Sequence, residues 1–406
     1  MTKYTKSLIV GIALALFVAD PALADRRNSL ANNILITDQD DVFHFPQLAL
    51  DYRNLISFDW GASEGEGSGM LLLGNSAMAY GVLINRADGN SNAAAGVGFN
   101  KDYEQWNLGR RGTPFAELNG PNLGLAPQNF ADAVLAIKSG PNKYGFRLGI
   151  GHRLDFNEPG DNEDSNAVTT LKLTAGASFG KRMDLAADIN YAASARIDGG
   201  NDVAQGALFG LDAKLRGFGV GSKYRLGYFG RLAVASQTIH VEAGDFNEIR
   251  LDFALQGGMG PVYKLDTMKA TIAAYATIGL ASSSQEPNDD ADDDEAAPQQ
   301  ILFPGFKMSG EWELLKWLIF RTGMEYTYVF DSFTDNADNV RMCRGGSGAT
   351  AGSCEDQHFG WNAGFGIVVD KFRFDGSLEH GWLTAGPDIV GGDSALWTML
   401  SGSYSF

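Results

Sequence analysis

The sequence lacks an apolar run long enough to cross a bilayer as a helix, which takes about 18–20 residues. The longest such run extends only from Leu8 to Val18, and charged residues interrupt every later hydrophobic segment. The mean hydropathy of -0.14 is also low for a helical membrane protein. A bundle of membrane-spanning helices is therefore excluded.

Cysteine and catalytic motifs are also scarce. The chain has 2 Cys and 5 His residues, and it contains no G-x-S-x-G or H-E-x-x-H motif. The spacing of Cys343 and Cys354 suits neither a CxxC redox pair nor a zinc site, so we expect a disulfide in an exported protein. We expect no cofactor, no metal site and no catalytic residues.

Basic residues are outnumbered, with 32 Lys and Arg against 49 Asp and Glu, which gives a formal net charge of -17. This balance argues against a nucleic-acid partner. Acidic residues crowd the stretch 286–295, and the sequence leaves open whether they hold a divalent cation that bridges to lipopolysaccharide. Like-charge blocks are usually solvated and repulsive, and we expect that here.

The N-terminal residues are typical of an export signal. Lys3 and Lys6 precede the apolar run, and Ala22-Leu23-Ala24 provides a small-x-small cleavage pattern, so residues 1–24 are expected to be removed. Residues 25–47 follow, and they could plug a lumen, lie under a barrel or add a strand. The acids of this segment lack the spacing of a calcium loop and are expected to be solvated; they are Asp38, Asp40 and Asp41.

Strict alternation of polar and apolar residues recurs along the remaining chain. From Arg182 to Ile197, one parity is polar and the other is compatible with lipid. Because this period is 2 rather than 3.6, it predicts strands, and only a closed barrel satisfies every strand in a membrane. Residues 48–406 therefore predict an all-β, antiparallel up-and-down transmembrane β-barrel with short turns alternating with long loops. The predicted strands are 48–60, 67–74, 78–87, 131–138, 143–156, 166–180, 183–196, 204–216, 221–235, 246–259, 266–281, 300–314, 317–331, 357–369, 371–383 and 395–406.

These ranges give about sixteen strands. If the two short ranges 67–74 and 78–87 belong to a loop, the number falls to fourteen. The 88–130 connection is long enough to fold into the lumen as a constriction or to cap the barrel outside.

The final residues, Ser394 to Phe406, alternate up to an aromatic C-terminal residue. This strand resembles the C-terminal signal of Gram-negative outer-membrane β-barrel proteins, with Tyr404 and Phe406 as the insertion signal. The resemblance implies residence in the outer membrane, contact with its lipid and lipopolysaccharide, and delivery by periplasmic chaperones and the barrel-insertion machinery. A homotrimer is one assembly that the resemblance allows.

A barrel of this strand number encloses an aqueous lumen. Charged residues of both signs have inward parity, which is typical of a porin-like channel for passive diffusion of small hydrophilic solutes or ions. A closed or plugged barrel with a structural or adhesive role is the alternative, and a lipid-modifying barrel enzyme is a weaker one. They differ in whether 25–47 or 88–130 occludes the lumen. The candidate pore-lining residues are Arg53, Arg147, Arg153, Lys172, Asp188, Asp212, Lys214, Arg225, Arg250, Asp252, Glu311, Arg321, Glu325, Arg373 and Glu379.

Overall fold

The computed structural model describes most of the chain after the expected signal segment. The described residues are 26–60, 68–84, 129–156, 165–180, 182–198, 201–241, 246–266, 269–287, 299–334, 340–345, 357–378 and 397–406.

Most of these residues form strands of one antiparallel sheet. The strands are β1 (Leu55–Trp60), β2 (Ser68–Gly74), β3 (Met78–Ile84), β4 (Asn129–Ser139), β5 (Asn142–Phe156), β6 (Ser165–Phe179), β7 (Met183–Asp198), β8 (Asn201–Phe218), β9 (Tyr224–Val241), β10 (Phe246–Leu265), β11 (Ala270–Pro287), β12 (Gln299–Leu315), β13 (Leu318–Thr334), β14 (Val340–Gly345), β15 (Gln357–Val369), β16 (Phe372–Leu378) and β17 (Trp397–Ser405).

The sheet closes because β1 pairs with both β2 and β17. β13 pairs along its length with β15, and β14 pairs only with the last residues of β13. β14 thus lies outside the closed ring, which contains sixteen strands. The predicted sixteen-strand up-and-down barrel is confirmed, and the fourteen-strand alternative is wrong because β2 and β3 are hydrogen-bonded members of the wall.

Short turns join the strands at one end of the barrel, and the longer connections join them at the other. Gly140 and Gly180 occupy two short turns with φ of 60° and 61°, a left-handed conformation that glycine adopts without a steric penalty. Asp370 takes a similar φ of 56° in the turn between β15 and β16. In outer-membrane barrels, the short turns face the periplasm. We call this end of the barrel the short-turn end.

The outer surface of the barrel is apolar, as the alternation predicts. On β7, Ile189 and Tyr191 are exposed, whereas the intervening parity is buried, with Asp188 1% exposed. Exposed apolar side chains on nearly every strand give the barrel an outer surface of the kind that contacts lipid. No helix among the described residues is long and apolar enough to span a membrane.

The C-terminal strand closes the barrel beside aromatic neighbours. Tyr404 lies 4.4 Å from Phe372 and 6.2 Å from Phe406, measured between ring centroids. The backbone N–H of Phe406 donates to the carbonyl of Asn54 at 2.9 Å. The residues assigned to the insertion signal thus lie where the last strand meets the first.

The first strand begins later than predicted. Residues 46–50 form a short 3-10 helix instead, with Pro46 at its first turn. Proline fixes φ near the helical value and favours the start of a helix. Two other short elements precede it: helix α1 (Arg26–Ser29) and a 3-10 helix at Gln39–Phe43, which Asp38 caps by accepting from the N–H of Asp40.

Candidate functional site

Residues 26–50, which we call the N-terminal plug, lie inside the barrel. Their contacts extend around the wall, from β3 through β6 at one end of the segment to β13, β15 and β16 at the other. Nearly all of their apolar side chains are buried. Of the three placements that the sequence left open for this segment, the structure has the one in the lumen, towards the short-turn end.

One end of the plug is held by a carboxylate on β12. Arg26 donates from Nε and Nη2 to the two oxygens of Glu311, at 2.7 and 3.0 Å. Glu311 also accepts from Nε of Arg321 at 2.7 Å, and Arg321 lies 2.6 Å from Asp375 on β16. Bidentate arginine–carboxylate contacts fix orientation as well as charge, so α1 is tied to a particular part of the wall.

The middle of the plug is held by an arginine on β8. Nη1 of Arg216 donates to Asp41 at 2.6 Å, while its other nitrogens donate to Asp184 on β7. Asp41 also accepts from Arg27 at 2.8 Å. The side chains of Arg216 and Asp41 are both 0% exposed, so each charge depends on its partners rather than on water.

Wall side chains also bind the plug backbone. Because the plug pairs with no strand, its backbone carbonyls need other donors. Ser309 and Lys307 on β12 donate to the carbonyls of Leu30 and Ala31, at 2.6 and 3.1 Å. On the opposite side, Arg147 of β5 donates to the carbonyl of Phe43 at 2.7 Å. These side-chain donors take the place of ladder hydrogen bonds for a segment that pairs with no strand.

Two wall glycines make room for the plug. A Cβ at Gly323 of β13 would overlap the backbone of Leu30, and one at Gly145 of β5 would overlap the backbone of Gln47. A side chain at either position would force the plug away from the wall. The strands are therefore shaped to accept this segment.

Apolar packing joins the plug to the wall in two clusters. The first surrounds Phe43 and Phe45 and includes wall residues of β1 to β4, such as Leu72 and Val134. The second surrounds Ile34 and includes wall residues of β8 to β11. Full burial of a large apolar side chain stabilises a packed state by about 1.5–3 kcal/mol. The plug is thus packed as a core, and it is not merely held by charges.

The charge network also lowers the pKa of one acid in the plug, Asp38. Burial by itself raises the pKa of Asp38, but the nearby guanidinium groups of Arg26 and Arg27 outweigh it and hold this pKa below its ordinary value. Nη1 of Arg26 donates to Asp38 at 2.7 Å. Asp38 is therefore an anion at neutral pH.

A second group of charges lines β6 to β9. Asp188 lies 2.5 Å from Nζ of Lys214 and 3.7 Å from that of Lys172. Asp212 is 3.4 Å from Lys214 and accepts from Nη2 of Arg231 at 2.6 Å. These alternating charges pair across neighbouring strands and support the wall.

The predicted pore-lining residues divide according to this geometry. Arg147, Glu311 and Arg321 belong to the plug contacts already described, and Arg373 pairs with Asp375 at 2.8 Å. Arg53 also contacts the plug, because it donates to the carbonyl of Leu50 at 2.9 Å. Within the wall, Glu325 pairs with Lys307 at 2.9 Å, and the guanidinium carbon of Arg225 lies 4.0 Å from the ring centroid of Phe218. For the other predicted residues, the structure does not describe the side chains; these residues are Arg153, Arg250, Asp252 and Glu379.

The expectation that the acids of residues 25–47 are solvated is wrong. Asp38, Asp40 and Asp41 are 0–3% exposed. Carboxylates remain charged in such a place only with close cations. Arg26 supplies one for Asp38, and Arg27 and Arg216 supply two for Asp41. The signal in the sequence was the pair of arginines upstream of the acids in an otherwise largely apolar segment.

Other predicted features lie beyond the part of the chain that the structure describes. Cys354, the 88–130 connection up to residue 128, and residues 288–295 of the acidic stretch are outside it. The Cys343–Cys354 disulfide therefore stays a prediction. Within the described ranges, no group of His, Cys, Asp or Glu is arranged to hold a metal ion.

Comparison with known proteins finds similarity only to the structures of other barrels. No protein-family model matches the chain, and no curated protein matches it. The ferric yersiniabactin uptake receptor FyuA from Yersinia pestis aligns with a TM-score of 0.36 at 9% identity, over 61% of this chain and 44% of the receptor. The chain thus spans less than half of that protein.

Two further solved structures align over more of their own length. The ferric-catecholate import receptor Fiu from E. coli K12 has a TM-score of 0.35 at 7% identity, covering 87% of this chain and 81% of the receptor. OmpT, an outer-membrane protein of Vibrio cholerae, has a TM-score of 0.35 at 13% identity, covering 76% of this chain and 95% of OmpT. The closed ring of strands with an apolar outer surface is the architecture of an outer-membrane β-barrel.

Proposed function

We propose that this protein is a plug-gated outer-membrane channel for small hydrophilic solutes or ions, and that the present conformation is its closed state. The observation that carries the proposal is the N-terminal plug, which contacts the wall around the lumen. A sixteen-strand barrel is wide enough for an aqueous channel. Passive diffusion through this barrel therefore requires the plug to move.

Charges on the inner wall support a hydrophilic solute. Glu311 and Arg321 at the plug would face the lumen if the plug left, and both signs would then line the same region. A lumen lined by both signs accepts water and small polar solutes more readily than apolar ones.

The two ends of the plug are held by different kinds of contact, which favours movement of one end alone. Residues 42–50 pack among apolar residues of β1 to β4, whereas Arg26 at the other end is held mainly by carboxylates. Ion pairs weaken in salt or acid, but apolar packing does not. We infer that the α1 end is released first and that residues 42–50 stay against the wall.

A second candidate is a permanently closed barrel with a structural or adhesive role. The apolar clusters around Phe43 and Ile34 favour it, because they fill the lumen as a protein core does. The two candidates differ in whether the plug ever leaves the wall in a folded barrel.

Single-channel conductance of the refolded chain without residues 1–24 separates them. We expect long closed periods with brief openings from the unmodified chain. A double variant, Asn33→Cys with Ser309→Cys, replaces side chains whose Nδ2 and Oγ atoms are 3.1 Å apart. When oxidised, it should lock the plug and abolish the openings, and dithiothreitol should restore them.

The matched control is the single variant Ser309→Cys, which cannot form this cross-link and should conduct in both redox conditions. Stable conductance by the oxidised double variant would show that the plug does not close the lumen. Silence from a folded barrel even after the plug is loosened, as by Gly323→Val, would reject a channel and favour the closed structural barrel.

A further inference from the structure

Two cations at the start of β9 have the parity that faces the inside of the barrel. Lys223 directly precedes the strand and Arg225 is its second residue. Both alternate with Tyr224, which is 59% exposed on the outer surface. They share their parity with Gly227, where an added Cβ would meet the side chain of Leu35 in the plug. The two cations therefore border the lumen at the short-turn end, next to the plug.

A third cation lies directly opposite the first. The backbone N–H of Lys264 on β10 donates to the carbonyl of Lys223 at 2.7 Å, which continues the pairing of β9 with β10. Lys264 shares its parity with Val262, which is 0% exposed and packs in the apolar cluster around Ile34. Like charges directly opposite each other on neighbouring strands destabilise a sheet. An anion between the two lysines would remove that cost.

Arg225 and Arg216 share one aromatic neighbour but differ in their ion pairs. Their guanidinium carbons lie 4.0 and 5.9 Å from the ring centroid of Phe218. Arg216 is neutralised by Asp41 and Asp184. Arg225 has no such partner among the described residues, and its Nε is buried without a hydrogen bond there. A buried donor without an acceptor is costly, so this nitrogen indicates a missing anionic partner.

Nearby carboxylates do not neutralise these three cations, which we call the mouth cations. Asp266 is exposed in the turn after Lys264, and Glu313 pairs with Lys269 at 2.7 Å. Within the described part of the chain, no carboxylate forms an ion pair with Lys223, Arg225 or Lys264. The chain as a whole has a formal net charge of -17. Unneutralised cations gathered at one place in such a chain indicate an anionic ligand.

The spacing of the mouth cations suits one oxyanion. Lys223 and Arg225 are two residues apart on one face, which separates their Cα atoms by about 7 Å. The planar fork of an arginine matches two oxygens of a phosphate, and flexible lysine ammonium groups add point charges at the others. Phosphate esters carry about 1.5 to 2 negative charges at neutral pH. This charge matches three cations better than the single charge of a carboxylate does.

We propose that Lys223, Arg225 and Lys264 form a binding site for a phosphate-type oxyanion at the short-turn mouth of the lumen. The ligand is inorganic phosphate or the phosphate group of a small soluble ester. Because the three side chains have inward parity, the site is open to solutes at the mouth and not to lipid around the barrel. The proposal does not depend on whether the plug moves.

Calorimetric titration of the refolded chain without residues 1–24 tests this site. Inorganic phosphate and glycerol 3-phosphate are titrated separately into the barrel in a neutral detergent. We expect saturable binding of phosphate to a single site. Equal affinity for the two would assign recognition to the phosphate group alone, and tighter binding of the ester would add contacts with the rest of the solute.

Arg225→Gln should weaken phosphate binding at least about tenfold, because it removes charge-assisted hydrogen bonds. Arg225→Lys keeps the charge without the fork and should recover only part of the affinity. The double variant Lys223→Gln with Lys264→Gln should also weaken binding several-fold. Phosphate should raise the Tm of the unmodified barrel and leave that of the double variant nearly unchanged, since a ligand stabilises the state that it binds.

The matched control removes two lysines from other turns at the same end of the barrel, Lys138→Gln with Lys371→Gln. It makes the same change in net charge and should bind phosphate as the unmodified chain does. Circular dichroism verifies that each variant is folded.

Three results would overturn the proposal. The first is the absence of saturable phosphate binding by the folded, unmodified barrel. The second is an equal loss of binding in the control and in the double variant of Lys223 and Lys264, which would make binding an effect of net charge. The third is unchanged affinity in Arg225→Gln, which would place any bound phosphate elsewhere.

Discussion

The guanidinium group of Arg216 on the barrel wall lies 2.6 Å from the carboxylate of Asp41 in the plug, and water reaches neither side chain. Asp41 also binds Arg27, so one carboxylate joins two parts of the plug to the wall. Removal of one partner from a buried ion pair costs about 3–5 kcal/mol, because the other charge stays buried without compensation. We therefore expect the plug to be sensitive to substitution of Asp41.

Asp41→Asn should therefore loosen the plug while leaving the strands intact. We expect more frequent channel openings and faster proteolysis of residues 26–50, with the β-sheet signal in circular dichroism unchanged. Asp51→Asn is the matched control, because Asp51 pairs with Lys143 at an exposed site where such pairs contribute at most about 1 kcal/mol. Equal proteolysis of both variants would contradict the assigned role of Asp41.

Gly323→Val should displace the plug without any change in charge. The added Cβ would overlap the backbone of Leu30 and Ala31 in the plug. Open-state probability in planar bilayers should rise. Gly210→Ala is the control, since its Cβ would have its nearest neighbour at 3.6 Å, an ordinary contact. A folded Gly323→Val barrel that stays closed would count against a channel and favour the closed structural barrel.

Acid should open the channel through Asp38. Because the plug-bound pKa of Asp38 is lower than its ordinary value of 3.8, the bound plug is favoured above pH 3.8. This contribution is lost as the pH falls through the lowered pKa, when protonation removes the anion from Arg26. Conductance recorded from pH 7 to pH 3 should show openings that increase only below about pH 4.

Asp38→Asn should remove this part of the pH dependence and raise the openings at neutral pH. A variant that keeps the full acid response would place the titrating group elsewhere in the network.

Lys214→Met should weaken the wall but not the plug. Lys214 lies between Asp188 and Asp212, so its removal leaves two buried carboxylates beside each other on neighbouring strands. We expect a loss of about 3–5 kcal/mol in the free energy of unfolding, measured by urea titration in lipid vesicles. Lys269→Met, at a pair whose lysine is 62% exposed, should change it by less than about 1 kcal/mol. A rise in channel openings for Lys214→Met alone would show that this cluster also holds the plug.

The strands could be predicted from the sequence because lipid imposes a simple rule on them. Residues such as Ile189 and Tyr191 must be apolar where they face lipid, and their alternation with Asp188 is therefore visible in one strand taken alone. The number of strands followed from counting these segments. Even the short β2 and β3 were found, since their outward residues obey the same rule.

The interior could not be predicted in the same way. An inward carboxylate such as Glu311 gives the same sequence pattern whether its partner is water, a neighbouring strand or the plug. Its actual partner, Arg26, is 285 residues away along the chain. The first strand was also predicted too early, because Leu48 and Leu50 are apolar for contact with the inner wall and not with lipid.

The sequence by itself determined that this chain is a membrane β-barrel of about sixteen strands, because the alternation within each strand shows which face meets lipid. The structure then decided between sixteen and fourteen. Only the tertiary structure decided that the lumen is occupied, because closure of the ring brings Arg216 and Gly323 from distant strands around residues 26–50. The charges of Asp38 and Asp41 acquire their partners only in that enclosed space.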